Sequence, residues 1–236
     1  MNKKIVIGIL GVPSYDNENY PIIALYNDYK NVVIKKQGIP FLITPVTNID
    51  YNKFSLEEIP PLTEDEKIIY NDMIDMCDGI IIPGGYRIYN FDKYIVKKAL
   101  DNNMPILGIC RGMQMLANID NGFNCLEKIN ENDSHCVREQ KYVHNINIYD
   151  NTLLKEIIGS SNIKVNSRHR YAITKVNNFI ISSTSEDGVI ESIESKDKTF
   201  VIGVQWHPEK LIDIDEPSNK LFDRFIEECK IHKKKF

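Results

Sequence analysis

The sequence predicts an α/β fold with a mostly parallel central sheet, helices on both faces and a small antiparallel addition. Three observations carry this. Short, continuous apolar runs alternate with helix-compatible segments through the first half of the chain, as strands buried on both faces require. The rhythm changes after about residue 121 to short strands separated by turns. The chain has 236 residues, enough to bury a large core, and residues 1–236 read as a single domain without repeat or linker.

Residues 5–10 read as a buried first strand, followed by a Gly11-Val12-Pro13 turn. Residues 20–37 carry mixed helical periodicity, with Gly38 as the stop signal. Residues 40–45 form a short strand bounded by prolines, and residues 63–76 a helix capped by Thr63 with acids in its first turn. Residues 78–83 are a continuous apolar strand, and residues 92–102 an amphipathic helix. Residues 106–109 form a strand and residues 112–118 the helix after it. Beyond, residues 143–148, 163–165, 172–176, 179–183, 189–194 and 199–205 read as short strands, some of them antiparallel. Residues 215–230 form a closing amphipathic helix.

Composition is that of a globular protein, 42% hydrophobic and 26% charged. The formal charge of −4 offers no reason to expect nucleic acid or an anionic membrane surface as a partner. No apolar run reaches the roughly 20 residues of a membrane span. Lys3-Lys4 precedes only a short apolar stretch, so the start reads as a strand and not a signal peptide. Five cysteines, an odd number without paired spacing, point to a reducing compartment, and the expected location is cytoplasmic. The Lys233-Lys234-Lys235 tail reads as a solvated end.

The chemistry centres on Gly108-Ile109-Cys110-Arg111-Gly112. An apolar strand leads into Gly-x-Cys-x-Gly and then a helix, the layout of a nucleophile elbow with sulfur as the nucleophile. Such a turn presents Cys110 at the carboxyl end of a strand and at a helix N-terminus. The positive end of the helix favours a thiolate, and nearby backbone N–H groups can receive an oxyanion. About a hundred residues on, another β-branched run ends in Trp206-His207-Pro208-Glu209. Strand alternation would put His207 and Glu209 on one side. Cys110, His207 and Glu209 then form nucleophile, base and orienting carboxylate.

With these two motifs the chain resembles the class I glutamine amidotransferase superfamily. Within it, the similarity is to the peptidase C26 group, the γ-glutamyl hydrolases that include γ-glutamyl-γ-aminobutyrate hydrolase. The resemblance covers nearly the whole chain and includes the opening strand, Ile80 to Tyr86, Ile163 to Ile173 and Glu186 to Glu194. It implies a three-layer, flavodoxin-like fold. It assigns the oxyanion hole to the backbone N–H groups of Gly85 and Arg111. Gln114, one helical turn beyond Cys110, faces the nucleophile's side and by the resemblance contacts the α-amino-acid end of the substrate. Asn166-Ser167-Arg168-His169 matches a pocket-wall segment, so Ser167 and His169 are expected to bind substrate.

Three stretches depart from the hydrolase pattern. The loop after Gly85 is short, His169-Arg170-Tyr171 replaces His-His-Gln, and Gly122-Phe123-Asn124-Cys125 replaces Gly-Gly-Thr-Leu. Arg87 and Arg170 read first as surface arginines, and each would alternatively suit a carboxylate, which would point to an acidic γ-linked group. His135 and His144 read as structural or surface residues, and His232 as solvated. A zinc site around Cys125, Cys136, His135 and His144 matches no standard ligand spacing, so no metal is expected.

The resulting expectation is a cysteine hydrolase of small-molecule γ-glutamyl amides that needs no metal or organic cofactor. One alternative is a glutaminase subunit delivering ammonia to a separate synthase. Another is a non-enzymatic binding domain that kept the fold. A homodimer is left open.

Overall fold

The computed structural model describes residues 4–47, 49–51, 53–55, 58–121, 125–129 and 135–234. In chain order the elements begin with β1 (Val6–Leu10), β2 (Val12–Tyr15), β3 (Pro21–Ala24), α1 (Asn27–Lys35) and β4 (Ile39–Ile43). Next come α2 (Glu64–Asp75), β5 (Gly79–Ile82), α3 (Asn90–Asp101), β6 (Ile106–Ile109) and α4 (Arg111–Asn121). The chain continues through β7 (Leu126–Lys128), β8 (Cys136–Val137), β9 (His144–Ile148), α5 (Leu153–Ile158) and β10 (Asn162–Val165). It ends with β11 (Ser167–Arg168), β12 (Tyr171–Ile173), β13 (Phe179–Ser185), β14 (Ile190–Ser195), β15 (Val201–Val204) and α6 (Glu216–Lys233).

Among the described residues, nine strands form one sheet in the order β10-β9-β13-β14-β15-β6-β5-β1-β4. The strands from β4 to β15 run parallel, and β14, β13, β9 and β10 continue the same sheet antiparallel. The fold is the predicted α/β class. The antiparallel addition is larger than the sequence reading implies and is continuous with the parallel part.

The parallel strands are buried on both faces, which is why they read as unbroken apolar runs. In β5, Ile80 and Ile82 enter one core with Tyr70 and Ile74 of α2, Phe91 and Ile95 of α3 and Met113 of α4. Ile81 points to the other core, with Tyr29, Val32 and Val33 of α1 and Phe222 and Phe225 of α6. Each such fully buried side chain contributes about 1.5–3 kcal/mol of transfer free energy. Thr63 caps α2 with a reciprocal capping box to Glu66, as its sequence signature predicts.

The segment 20–37 is not one helix. Pro21–Ala24 pairs antiparallel with Val12–Tyr15, so the expected turn at residues 11–13 is the start of a hairpin. The helix begins only at Asn27. Its end also differs. Gln37, not Gly38, takes the left-handed conformation with φ 64°. Gly38 N–H donates to Val33 O and Gln37 N–H to Ile34 O, a Schellman closure in which Gly38 lies one position beyond the left-handed residue. Residues 122–124 of the departing post-elbow stretch lie outside the described residues.

Candidate active site

Cys110 sits between β6 and α4 with φ 52°, a left-handed conformation that costs a non-glycine residue of order 1–3 kcal/mol. The turn is held at both ends: Cys110 N–H donates to Val204 O at 2.8 Å, and Gln114 N–H donates to Cys110 O at 3.1 Å. The elbow expected from Gly-x-Cys-x-Gly is therefore formed, and it is anchored to β15, the strand that leads to His207.

His207 and Glu209 meet, though not by strand alternation. β15 ends at Val204, and Pro208–Lys210 form a short 3-10 turn with His207 as its N-cap. Pro208 disfavours the helical conformation at His207, which takes φ −112° and ψ 79°. His207 Nδ1 lies 2.7 Å from Glu209 Oε1. That contact places the proton on Nδ1 and leaves Nε2 to face Cys110. Both side chains are buried. Burial pulls the His207 pKa down, but the charge of Glu209, and then Cys110, outweigh it and raise the value to about 10.

Gly84 marks where these groups converge. A Cβ built there would lie 2.9 Å from His207 Cε1 and 3.7 Å from Cys110 Cβ. Gly84 N–H donates to the hydroxyl of Tyr29 at 2.9 Å. Burial first, and the Glu209 charge next, hold the Tyr29 pKa well above the ordinary phenol value, so Tyr29 is a neutral acceptor. With that amide engaged, the next one along, Gly85, stands against Arg111: a Cβ at Gly85 would lie 3.0 Å from Arg111 Cδ. Arg111 opens α4, and the amide of a first helical residue has no acceptor within the helix. The two amides assigned to the oxyanion hole thus lie on adjoining segments.

The Arg111 side chain has a separate task. It is buried, and its Nη1 donates to Asp92 Oδ2 at 2.7 Å and to Arg87 O at 2.7 Å. Asp92 Oδ2 also accepts from Tyr89 N–H at 3.1 Å, closing the first turn of α3. Burial raises the Asp92 pKa, with Arg111 opposing it. This ion pair ties the elbow to the segment after Gly85.

A cavity of about 560 Å³ opens over Cys110 and His207. Gln114 lines it, and its Nε2 donates to Tyr171 O at 3.2 Å and Gln205 Oε1 at 3.1 Å. His169 lines it as well. Ser167 is fully buried outside the lining, and its hydroxyl donates to His135 O at 2.7 Å, which leaves it to support the wall. Lys128, Arg138, Arg168, Arg170 and Lys210 all reach the cavity, and no Asp or Glu does among the described residues. Arg87 does not line it; its guanidinium donates to Phe54 O at 2.6 Å and stacks on Tyr89. Tyr29, Asp92 and Asn166 also support the site, although the motif reading singles out none of them as a site residue.

Residues 89–209, a stretch that holds Cys110, His207 and Glu209, match the peptidase C26 family. A candidate glutamine amidotransferase of Schizosaccharomyces pombe is 33% identical over 91% of this chain and 88% of its own length. A glutamine amidotransferase-like protein of Rickettsia prowazekii is 29% identical over 90% and 94%. CTP synthase of Staphylococcus aureus is 28% identical over 96% of this chain, which spans 45% of that longer protein. Among solved structures, a candidate GMP synthase subunit from Thermoplasma acidophilum has a TM-score of 0.64 at 17% identity, covering 99% of this chain and 98% of the other. The glutaminase domain of Trypanosoma brucei CTP synthase, with bound acivicin, has a TM-score of 0.62 at 17% identity, covering 97% and 94%. Both share the fold.

Proposed function

The chain belongs to the peptidase C26 family of the class I glutamine amidotransferase superfamily, and from that membership we propose that it is a cysteine hydrolase of γ-glutamyl amides. The observation that carries the reading is the strained Cys110 elbow beside the His207–Glu209 pair, at the floor of a basic cavity. Cys110 Sγ attacks the γ-carbonyl carbon, and the proton that Cys110 and His207 share is held on His207 Nε2. The oxyanion is received by the amides of Gly85 and Arg111. The imidazolium returns the proton to the leaving amine as the C–N bond breaks. Water then loses a proton to His207 and attacks the thioester, releasing glutamate and restoring the Cys110–His207 pair with its shared proton. Glu209 keeps Nδ1 protonated throughout.

The lining favours an acidic substrate. A glutamyl head brings one carboxylate, whereas five cationic side chains reach the cavity. A second carboxylate on the leaving amine, as in γ-glutamyl-γ-aminobutyrate, would suit a guanidinium such as that of Arg138, whereas Lys210 is already paired with Asp28 at 2.6 Å. Gln114 is assigned to the head group, and His169 to the wall against which it packs.

A second reading is favoured by the similarity to CTP synthase along almost all of this chain. Here the protein would be a glutaminase that passes ammonia to a separate synthase. Amine and ammonia release separate the two. Purified wild type and Cys110→Ala would be assayed on glutamine, γ-glutamyl-γ-aminobutyrate and other γ-glutamyl amines. Cysteine-dependent cleavage of an acidic γ-glutamyl amine without any partner is the expected result. Glutamine hydrolysis alone, or no turnover across the panel, would overturn the hydrolase reading.

A further inference from the structure

Behind the cavity wall, four side chains from separate segments converge: His135, His144, His169 and Glu191, with their donor atoms all within 4.8 Å of one another. His135 Nδ1 lies 3.2 Å from His169 Nε2 and 3.4 Å from Glu191 Oε1. The Nε2 atoms of His144 and His169 each lie 3.5 Å from the same Oε1. A tetrahedral ion with ligands at about 2.0–2.1 Å sets its donors about 3.3–3.4 Å apart. These four of the six separations match that spacing, and the two between His144 and the other rings lie within 4.8 Å, so the His144 ring would move inward to complete the tetrahedron.

The outer nitrogens decide what the inner ones offer. His135 Nε2 is 2.9 Å from Asp187 Oδ2, His169 Nδ1 is 3.0 Å from Tyr171 O, and His144 Nδ1 is 3.2 Å from Asn145 O. Each partner is a pure acceptor, so each outer nitrogen carries a proton. In the neutral rings, the three inner nitrogens are then bare lone pairs. They face a carboxylate that is fully buried and whose two oxygens have no hydrogen-bond partner among the described residues. Four electron-rich atoms around one point, with no donor between them, require a cation there. Imidazoles oriented by outer carboxylate and carbonyl acceptors are the arrangement that holds a metal-binding tautomer.

We propose that His135, His144, His169 and Glu191 form a closed tetrahedral site for a divalent transition metal ion, with zinc the best fit. Four protein ligands leave no open position, so the ion is structural. It would clamp the segment before β8, the start of β9, the β11–β12 connection and β14 to one point. His169 lines the cavity, and the ion would therefore fix the wall against which the substrate packs. Cys125 and Cys136 take no part: Cys125 Sγ contacts Asn118 Oδ1, and Cys136 is exposed. The competing occupant is a proton. Burial opposes a charge on His135, but Glu191 and Asp187 raise its pKa to about 9, so an imidazolium could sit against Glu191 instead.

Metal content and cobalt substitution distinguish the two. Protein without a polyhistidine tag, carrying Cys110→Ala so that the thiol cannot supply a ligand, would be analysed for bound metals and titrated with zinc and with cobalt(II). The expected result is about one tightly held ion per chain and the intense visible bands of four-coordinate cobalt. Glu191→Gln, close in shape, should abolish the bands. Asp187→Asn, which alters only an outer partner, should weaken zinc binding by about 10- to 100-fold. Folded protein that binds less than about a tenth of an equivalent of zinc, or gives the same bands with Glu191→Gln, would overturn the proposal. The first outcome would identify the cluster as a proton-sharing pair.

Discussion

Asn166 and His207 are joined by two reciprocal hydrogen bonds. His207 N–H donates to Asn166 Oδ1 at 2.7 Å, and Asn166 Nδ2 donates to His207 O at 2.8 Å. The side-chain amide copies the pairing of a neighbouring strand at the point where β15 has ended. It therefore holds the backbone of the proposed base where regular pairing no longer can. Asn166→Ala should leave the buried His207 N–H unpaired and His207 O with only the Lys210 N–H at 3.2 Å, and cost about 1–3 kcal/mol of stability. In turnover, kcat should fall while KM stays within about two-fold, because the base and not the cavity is displaced. Denaturant unfolding and steady-state kinetics on the best substrate would check both. A KM effect alone would place Asn166 in substrate binding.

Glu209 acts on His207 through the 2.7 Å contact to Nδ1. Glu209→Gln keeps the size but can present an N–H to the ring and favour the wrong tautomer. The expected loss in kcat is about 10²–10⁴, with folding retained. A loss below ten-fold would mean that the carboxylate does not orient the base.

Asp92 balances the buried guanidinium of Arg111 and closes the first turn of α3. Asp92→Ala removes one partner of a buried ion pair and strands the other. Urea unfolding should show a loss of about 3–5 kcal/mol. Asp92→Asn keeps an acceptor for Tyr89 N–H and should lose less. Equal losses would show that the charge is irrelevant.

Arg138 reaches the cavity near Tyr86, with Nη2 3.5 Å from the Tyr86 hydroxyl. If the basic wall selects acidic leaving amines, Arg138→Ala should raise KM for γ-glutamyl-γ-aminobutyrate about ten-fold more than for an uncharged γ-glutamyl amine, about 1.4 kcal/mol of discrimination. Equal changes on the two substrates would remove Arg138 from selectivity.

The elbow is legible because its signal is local: glycines at fixed offsets, an apolar strand and a helix within ten residues. His207 and Glu209 are legible as a pair, but the alternation argument fails at Pro208, which ends the strand geometry. Residues 20–25 are ambiguous in the sequence because Tyr20, Ile22, Ile23 and Leu25 suit a helix face as well as a hairpin. Only the pairing with Val12–Tyr15 decides between them. Tyr29 and Asp92 sit in amphipathic helices, where nothing local distinguishes them from core and surface positions. The His135–His144–His169–Glu191 cluster spans four segments, so no spacing rule could assemble it. His135, read as structural or surface, is buried.

The proton on His207 also couples stability to pH. Its pKa rises from an unfolded value of about 6.5 to about 10 in the native protein, with Glu209 and Cys110 overcoming burial. Between those values the native state binds more protons than the unfolded chain, so stability must fall as pH rises. The contribution is fully present below about pH 6.5 and is lost as pH climbs through about 10. His207→Gln removes the group, and its stability should vary less across that window. Urea unfolding of both proteins from pH 6 to pH 10 would therefore give curves that converge toward the alkaline end, with wild type ahead at pH 6. Parallel curves would mean that His207 is neutral in the resting protein.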